Sequence, residues 1–149
     1  MTGRYAELVR WAHDGEVFGA AFLRALVDGG AHPRRRPQLE ALLELELRTL
    51  ELLRPVTSPA PGDAALLERA SSYAAGVAAK PWDDFLTDLE DGAERALPRF
   101  DELAALAPAA ERDRFERLAE HERVVGAFAR LDRAGDTAAA LAVIAEHLA

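Results

Sequence analysis

The composition and the spacing of breaker residues predict an all-helical fold for this chain of 149 residues. Alanine and leucine, two of the strongest helix formers, occupy 32 and 22 positions. Valine, isoleucine and threonine, which favour strands, together number only 14. Proline and glycine separate long segments whose apolar residues recur at helical spacing. The length suits a single domain over residues 1–149 with a core of its own.

These boundaries define four long helices and two short ones. The first long helix spans about residues 4–28 and ends at a pair of glycines, and the second spans 38–54 between Pro37 and Pro55. The third runs from 82 to 106, where we expect Pro98 to kink or break it, and the fourth runs from 109 to 133. A short alanine-rich helix is expected at 64–78, and a last short helix follows Asp136, a favourable N-cap.

The connection between the second and third long helices predicts how they are arranged. It holds 27 residues between Arg54 and Trp82, enough to cross the length of a bundle even with a helix inside it. Short loops join antiparallel neighbours, whereas such a crossover lets the second pair of helices run back parallel to the end of the first pair. We therefore expect a four-helix bundle with a long crossover that contains the short helix, and a short C-terminal helix. A simple up-and-down bundle with a decorated loop is the alternative.

Charge and termini exclude several classes of partner. The net charge of -8 argues against nucleic acid and anionic membranes as partners, because both require a positive surface. The one basic cluster, Arg34–Arg36 between two prolines, is interpreted as a solvated loop rather than a site for an acidic partner. The N-terminus lacks the apolar core of a signal peptide, and no apolar run approaches the ~20 residues of a membrane span. A cytoplasmic protein is the expectation.

Recognisable chemical motifs are few. The absence of cysteine excludes disulfides and cysteine-ligated zinc or iron–sulfur sites. The chain also lacks a glycine-rich phosphate loop, a Gly-x-Ser-x-Gly elbow and a His-Glu-x-x-His motif. Any functional reading must therefore come from polar residues in unexpected places.

Three glutamates lie at the centre of apolar helix faces. At about 100° per residue, five leucines of the second helix lie within about 60° of Glu46, while its other charged residues lie opposite. Glu16 shares its side of the first helix with Val9, Ala12, Gly19 and Leu23 among others. Glu122 likewise lies among apolar residues of the fourth helix, which include Phe115, Leu118, Val125 and Ala129. Each glutamate also lies near the middle of its helix, so the three are expected to meet in one layer of the core.

A buried layer of carboxylates requires a compensating group. A buried ion costs several kcal/mol unless it is paired or coordinated, and no arginine or lysine lies at the centre of an inward face. Shared protons, buried water or a bound metal would each solve the problem. The alternative is that each glutamate reaches a bundle edge, or bonds a neighbour such as Tyr5 or Thr49.

The mid-helix glutamates and the long crossover together resemble the ferritin-like superfamily, including rubrerythrin-type di-iron carboxylate proteins. In that family two helices each supply a Glu and two supply Glu-x-x-His, and the resemblance implies iron- or manganese-dependent redox chemistry with oxygen or peroxide. Glu16 matches the glutamate of the first helix, and Glu46 matches that of the second-helix motif. That motif carries Thr49 in the histidine position, and the third helix has Ala93 where a carboxylate is expected.

The metal-ligand set implied by the resemblance is therefore reduced. On the fourth helix Glu122 begins the motif, but Val125 stands in its histidine position. Two other histidines are candidate replacements. His13 lies one turn before Glu16, and His121 lies about 100° from Glu122 on the flank of the fourth helix. The alternative, which we favour, is that each histidine is a half-buried edge residue.

Two packing questions stay open in the sequence. Small residues at the level of the glutamates (Gly19, Ala20, Gly92, Ala93 and Gly126) indicate either close helix packing or a cavity that a small-molecule ligand could fill. Leu45 and Leu52 lie on the flank of the second helix, either under the crossover helix, which we favour slightly, or at a homodimer seam.

Two functional hypotheses follow from the sequence. The first is a ferritin-like protein that binds iron or manganese through Glu16, Glu46 and Glu122, with His121 or His13 as further ligands. The second is a degenerate ferritin-like bundle without metal that binds a small ligand or a protein. The absent motif histidines favour the second, and the three glutamates at one level favour the first.

Overall fold

A computed structural model describes residues 3–57 and 63–149 of the chain, and these residues form helices and connecting turns without any strand. The all-helical class is therefore confirmed. There are six α-helices in the described residues: α1 (Gly3–Asp28), α2 (Arg36–Leu53), α3 (Ala64–Ala78), α4 (Trp82–Leu106), α5 (Arg112–Arg133) and α6 (Thr137–Leu148). None of them is both long and apolar enough to cross a membrane.

Local sequence explains where three of these helices begin. Asp63 caps α3 by accepting a hydrogen bond from the Ala65 amide, and Asp136 caps α6 through the Ala139 amide. Pro37 lies in the first turn of α2, where an amide proton is not needed.

Of the two effects expected of Pro98, a kink or a break in the third long helix, the break is contradicted, because α4 continues through the proline. Proline removes one backbone hydrogen bond, but Pro98 is exposed, so water can bond the carbonyl that loses its partner. Buried side chains on both sides of it, among them Phe85 and Phe100, anchor the two halves of the helix in the core.

The four long helices pack in the cyclic order α1, α2, α5, α4. Each helix contacts its two neighbours in this order, most extensively in the pairs α4–α5 and α1–α2. The short helix α3 packs against α1, and the C-terminal helix α6 packs against α5 and α2. The slight preference for the crossover helix as the cover of the α2 flank was therefore wrong. Leu45 is fully buried in one cluster with Ala140 and Ile144 of α6.

Two apolar clusters reveal the helix directions. One cluster joins the C-terminal halves of α1 and α5 to the N-terminal halves of α2 and α4, through residues such as Leu26, Leu39, Phe85 and Phe128. The other joins the opposite halves, through residues such as Leu8, Leu53, Leu103 and Phe115. Helices α2 and α4 therefore run in the same direction, and the chain segment that contains α3 crosses from one end to the other.

Polar side chains lie between the two apolar clusters on three of the long helices. Along α1 the position is Glu16, along α2 it is Glu46 and Thr49, and along α5 it is His121 and Glu122. We call these five residues the polar layer. It divides the core at mid-height.

Candidate metal centre

Three carboxyl groups converge on one imidazole nitrogen in the polar layer. The Nε2 atom of His121 lies 3.8 Å from Glu16 Oε2, 3.5 Å from Glu46 Oε1 and 3.9 Å from Glu122 Oε1. One donor atom each from Glu16, His121 and Glu122 lies within 4.8 Å of the others. Donors about 2.1 Å from a common ion are separated by roughly 3–4 Å, so these spacings suit a shared cation.

Thr49 determines which nitrogen of His121 faces the carboxyl groups. The Thr49 hydroxyl donates to the Leu45 carbonyl at 2.9 Å, so its oxygen is left to accept a hydrogen bond from His121 Nδ1 at 2.8 Å. The Nε2 atom therefore points at the carboxyl groups. Thr49, which stands in the motif position of a ligand histidine, instead orients a histidine from the neighbouring helix, as the outer partners of metal-bound histidines do.

Several atoms of the layer are buried without a hydrogen-bond partner. They are Glu16 Oε2, Glu46 Oε2 and His121 Nε2. A buried polar atom without a partner costs about 1–3 kcal/mol, and more for a charged group. The carboxyl groups of Glu16 and Glu46 both lie beside His121 Nε2, so a single bound cation would satisfy this nitrogen and the oxygens around it together. The donor set of carboxylate oxygens and one imidazole nitrogen suits iron or manganese, so the residues present fit such an ion.

Burial and the charges of neighbouring groups determine the protonation states in the polar layer. Burial raises the pKa of the Glu16 carboxyl well above its ordinary value, and the charges of Glu46 and Glu122 add to the effect. Burial also raises the pKa of Glu122 to about 7, although the charge of His121 opposes it. Burial acts upward on Glu46 too, but the adjacent Glu16 carboxyl and the charge of His121 lower its pKa.

His121 completes this balance. Burial acts to lower its pKa, but the charges of Glu46 and Glu122 outweigh burial and raise it. Without a cation, the layer therefore favours an ionised Glu46 beside a protonated His121, with Glu16 neutral. A cation would displace these protons, because carboxylates and imidazole bind metals in their deprotonated forms.

Gly19 admits the Glu46 carboxyl into the layer. A Cβ atom at position 19 would lie 3.0 Å from Glu46 Cδ and 3.1–3.2 Å from its oxygens, tighter than ordinary contact. Glycine in the middle of a helix is destabilising by about 1 kcal/mol relative to alanine. The small residue on α1 therefore serves a close approach, which was one of the two alternatives that the sequence left open.

The second alternative, a cavity, applies to Gly92 on α4. A Cβ atom there would meet only the Arg95 guanidinium, at 4.0 Å. A cavity of about 330 Å³ lies beside it and reaches Glu16, Glu46 and Glu122. Beside the polar layer α4 contributes Gly92 and Ala93 to the lining, and its one carboxylate in the lining, Asp88, is paired with Lys80.

The structure places the two candidate histidines differently. His121 is 1% exposed and belongs to the polar layer, whereas the His13 side chain is 25% exposed and lies 3.4 Å from Asp14 Oδ1. His13 therefore does not join the group of donor atoms. His121 was expected only as an alternative on the flank of its helix.

One buried carboxylate was missed in the sequence. Asp132 accepts hydrogen bonds from Trp82 Nε1 at 2.7 Å and Thr137 Oγ1 at 2.8 Å, and Gln38 Nε2 lies 3.4 Å from it. Its partners come from three other helices, so local spacing gave no signal. Asp132 links α5 to α2, α4 and α6 through these contacts. Because its oxygens already have donors, it is not a candidate metal ligand.

Comparison with protein-family models, with curated proteins and with solved structures found no match for this chain. The resemblance to the ferritin-like superfamily therefore rests on the helix pattern and on the residues of the polar layer.

Proposed function

We propose that this chain is a ferritin-like protein that binds one divalent iron or manganese ion in its polar layer. The observation that carries the proposal is the convergence of three carboxyl groups on His121 Nε2, with one donor atom each from Glu16, His121 and Glu122 within 4.8 Å of one another. The order of the four long helices and the parallel pair α2 and α4 support the ferritin-like arrangement, because a long crossover permits that pairing.

The residues of the chain suggest one ion rather than two. A dinuclear ferritin-like site draws on four glutamates and two histidines, whereas this layer offers three glutamates and one histidine. The missing motif donors are the glutamate of α4 and the histidines of the Thr49 and Val125 positions, and His121 supplies one imidazole from outside the motif. The remaining donors come from α1, α2 and α5, so the side of the site toward α4 stays open to the cavity.

Each side chain has a separate role in this proposal. Glu16, Glu46 and Glu122 would supply carboxylate ligands, and His121 would supply Nε2. Thr49 positions the imidazole by accepting its Nδ1 proton. Glu16 and Glu122 hold protons in the cation-free layer and release them when the site is filled. The bound ion would contribute redox chemistry toward oxygen or peroxide, as the resemblance implies.

Metal titration of the purified chain tests this proposal. The chain is stripped with a chelator, loaded with Mn(II) or, without oxygen, with Fe(II), and its metal content is measured after dialysis. We expect about one ion per chain, and at least a tenfold lower affinity in the double variant Glu46→Gln/Glu122→Gln. The matched control is Glu44→Gln/Glu120→Gln, which changes two exposed carboxylates on the same two helices.

The outcomes separate the proposal from its alternative. Stoichiometric metal in the wild type and the control, with loss in the double variant, supports it. If the wild type takes up neither ion, or if the double variant binds as the wild type does, the proposal fails. A helical bundle that binds a small ligand without metal is then the better description, and the cavity beside the polar layer is the observation that favours it.

A further inference from the structure

The cavity beside the polar layer has walls of a distinct chemical kind. It lies between α1, α3 and α4, and aromatic side chains dominate its lining: Trp11, Phe18, Phe22, Tyr73 and Phe100. Its floor is formed by the carboxyl groups of Glu16, Glu46 and Glu122. The cavity is therefore apolar along its sides and rich in hydrogen-bond acceptors at one end, which is the usual character of a small-molecule site.

Small residues keep this space empty. Helix α1 contributes Gly15 and Gly19 to the lining, and helix α4 contributes Gly92, Ala93 and Ala96. Cβ atoms at Gly15 and Gly92 would meet no backbone within 4 Å, so larger side chains would fit there without a clash. Protein cores are close-packed, and glycine weakens a helix. An unfilled volume of about 330 Å³ between two glycine-bearing helices is thus a site of suitable size for a small aromatic compound.

Two arginines lie at the mouth of the cavity. Arg95 lines the cavity and also, with Arg99, an adjoining surface depression. The Arg99 guanidinium lies over the Trp11 ring, 5.2 Å from its centroid. Among the side chains that the structure describes, neither arginine forms an ion pair with a carboxylate, whereas Arg133 on α5 pairs with Glu90. Both guanidinium groups are exposed and available to an anion.

We propose that this cavity binds a small aromatic acid that carries a hydroxyl group at the end opposite its carboxylate. The carboxylate would pair with Arg95 and Arg99, and the ring would lie among the aromatic side chains. The hydroxyl would donate to a carboxyl oxygen of Glu46 or Glu122, whose side chains line the floor and are 16% and 13% exposed. The inference goes beyond the metal site, because neither the aromatic walls nor the arginines supply a metal donor.

Charge distribution favours an acid over an amine. Asp88 also lines the cavity, but its carboxylate is paired with Lys80, whereas Arg95 and Arg99 have no ion-pair partner among the described side chains. An ammonium group at the mouth would therefore face these two guanidinium groups. A ligand with its charge at the mouth and a neutral donor at the floor matches both ends.

Calorimetric titration of the metal-free chain with four probes of one skeleton tests the inference. The probes are 4-hydroxyphenylacetate, phenylacetate without the hydroxyl, tyrosol without the acid, and tyramine with an amine in its place. We expect 4-hydroxyphenylacetate to bind most tightly. The affinity should be about tenfold lower for phenylacetate, which lacks the hydroxyl, and for tyrosol, which lacks the carboxylate. The chelator stays present throughout, so the result does not depend on whether metal binds.

Two variants locate the binding site, each with a matched control. Arg95→Gln should weaken both acids by about tenfold and leave tyrosol unchanged, while the exposed Arg24→Gln leaves all probes unchanged. Gly92→Leu should fill the cavity and abolish binding, whereas Gly76→Leu, which also places its side chain in open space on α3, should not. Circular dichroism verifies that each variant is folded.

Several results would overturn the inference. They are the failure of 4-hydroxyphenylacetate to bind, tighter binding of tyramine than of the acid, and unchanged binding by Gly92→Leu. If metal titration fails but the acids bind, the metal proposal alone falls. If metal binds but none of the probes does, the aromatic-acid inference alone falls.

Discussion

Replacing Glu122 by glutamine removes one titrating group from the polar layer with little change in shape. Burial raises the pKa of Glu122 to about 7 from its ordinary value of 4.5; the charge of His121 opposes this shift and that of Glu46 adds to it. Glutamine keeps one carbonyl acceptor but cannot ionise. The pH dependence that the carboxyl imposes on the metal-free fold should therefore be absent in the variant.

The sign and size of the effect follow from these two pKa values. Between pH 4.5 and about 7 the folded chain holds a proton that the unfolded chain has released, so the free energy of unfolding falls as the pH rises. The difference between these two pKa values corresponds to about 3 kcal/mol of free energy of unfolding. This contribution is lost once the pH rises above the pKa of the folded chain. The raised pKa values of Glu16 and His121 also make the free energy of unfolding fall as the pH rises. The lowered pKa of Glu46 affects the free energy of unfolding only at lower pH.

Urea unfolding followed by circular dichroism measures this difference. Metal-free wild type, Glu122→Gln and the exposed control Glu120→Gln are compared from about pH 5 to about pH 8. We expect the wild type and the control to lose about 3 kcal/mol more than Glu122→Gln over this range. If the wild type and Glu122→Gln show the same dependence on pH, Glu122 is not held neutral by burial, and the charge balance described for the layer is refuted.

Three further predictions concern the support of the site. Gly15→Ala should stabilise the fold by about 1 kcal/mol without affecting metal binding, whereas Gly19→Ala should weaken metal binding because its Cβ crowds Glu46; equal metal titrations would contradict this. Thr49→Val should lower metal affinity about 10- to 100-fold because His121 loses its acceptor, and Thr49→Ser should restore it; an unchanged affinity in the valine variant would exclude the positioning role. Glu46→Leu should lower the urea-measured stability of the metal-free chain by about 3–5 kcal/mol, because it leaves the protonated His121 without its buried partner, and a gain in stability would contradict this charge balance.

Helix positions could be predicted because the determinants are local. The segment expected at 64–78 is α3, Ala64–Ala78, which begins at the Asp63 cap. The segment expected from 109 is α5, which begins at Arg112 because residues 109–111 form a separate 3-10 turn. Glu16, Glu46 and Glu122 could be singled out for a similar reason, since a helical wheel requires only the period of one helix.

The role of His121 could not be predicted, because it depends on contacts between helices. On its own helix His121 is displaced from Glu122 by one residue, which places it on the flank. Its burial arises from the way in which α5 faces α2, where Thr49, 72 residues away in sequence, accepts its proton. The cover of the α2 flank by α6 was also missed, because apolar positions do not indicate which helix will bury them.

Three unrelated features of the polar layer favour a bound ligand over incidental burial. Leucines surround Glu46 on its own face, so another leucine there would extend the core without a desolvated charge. Gly19 weakens α1 at the one position where a methyl group would crowd Glu46. Thr49 places the Nε2 atom of His121 against the carboxyl groups of three glutamates. Each feature opposes stability when taken alone, and one cation shared by these atoms would give all three the same physical reason.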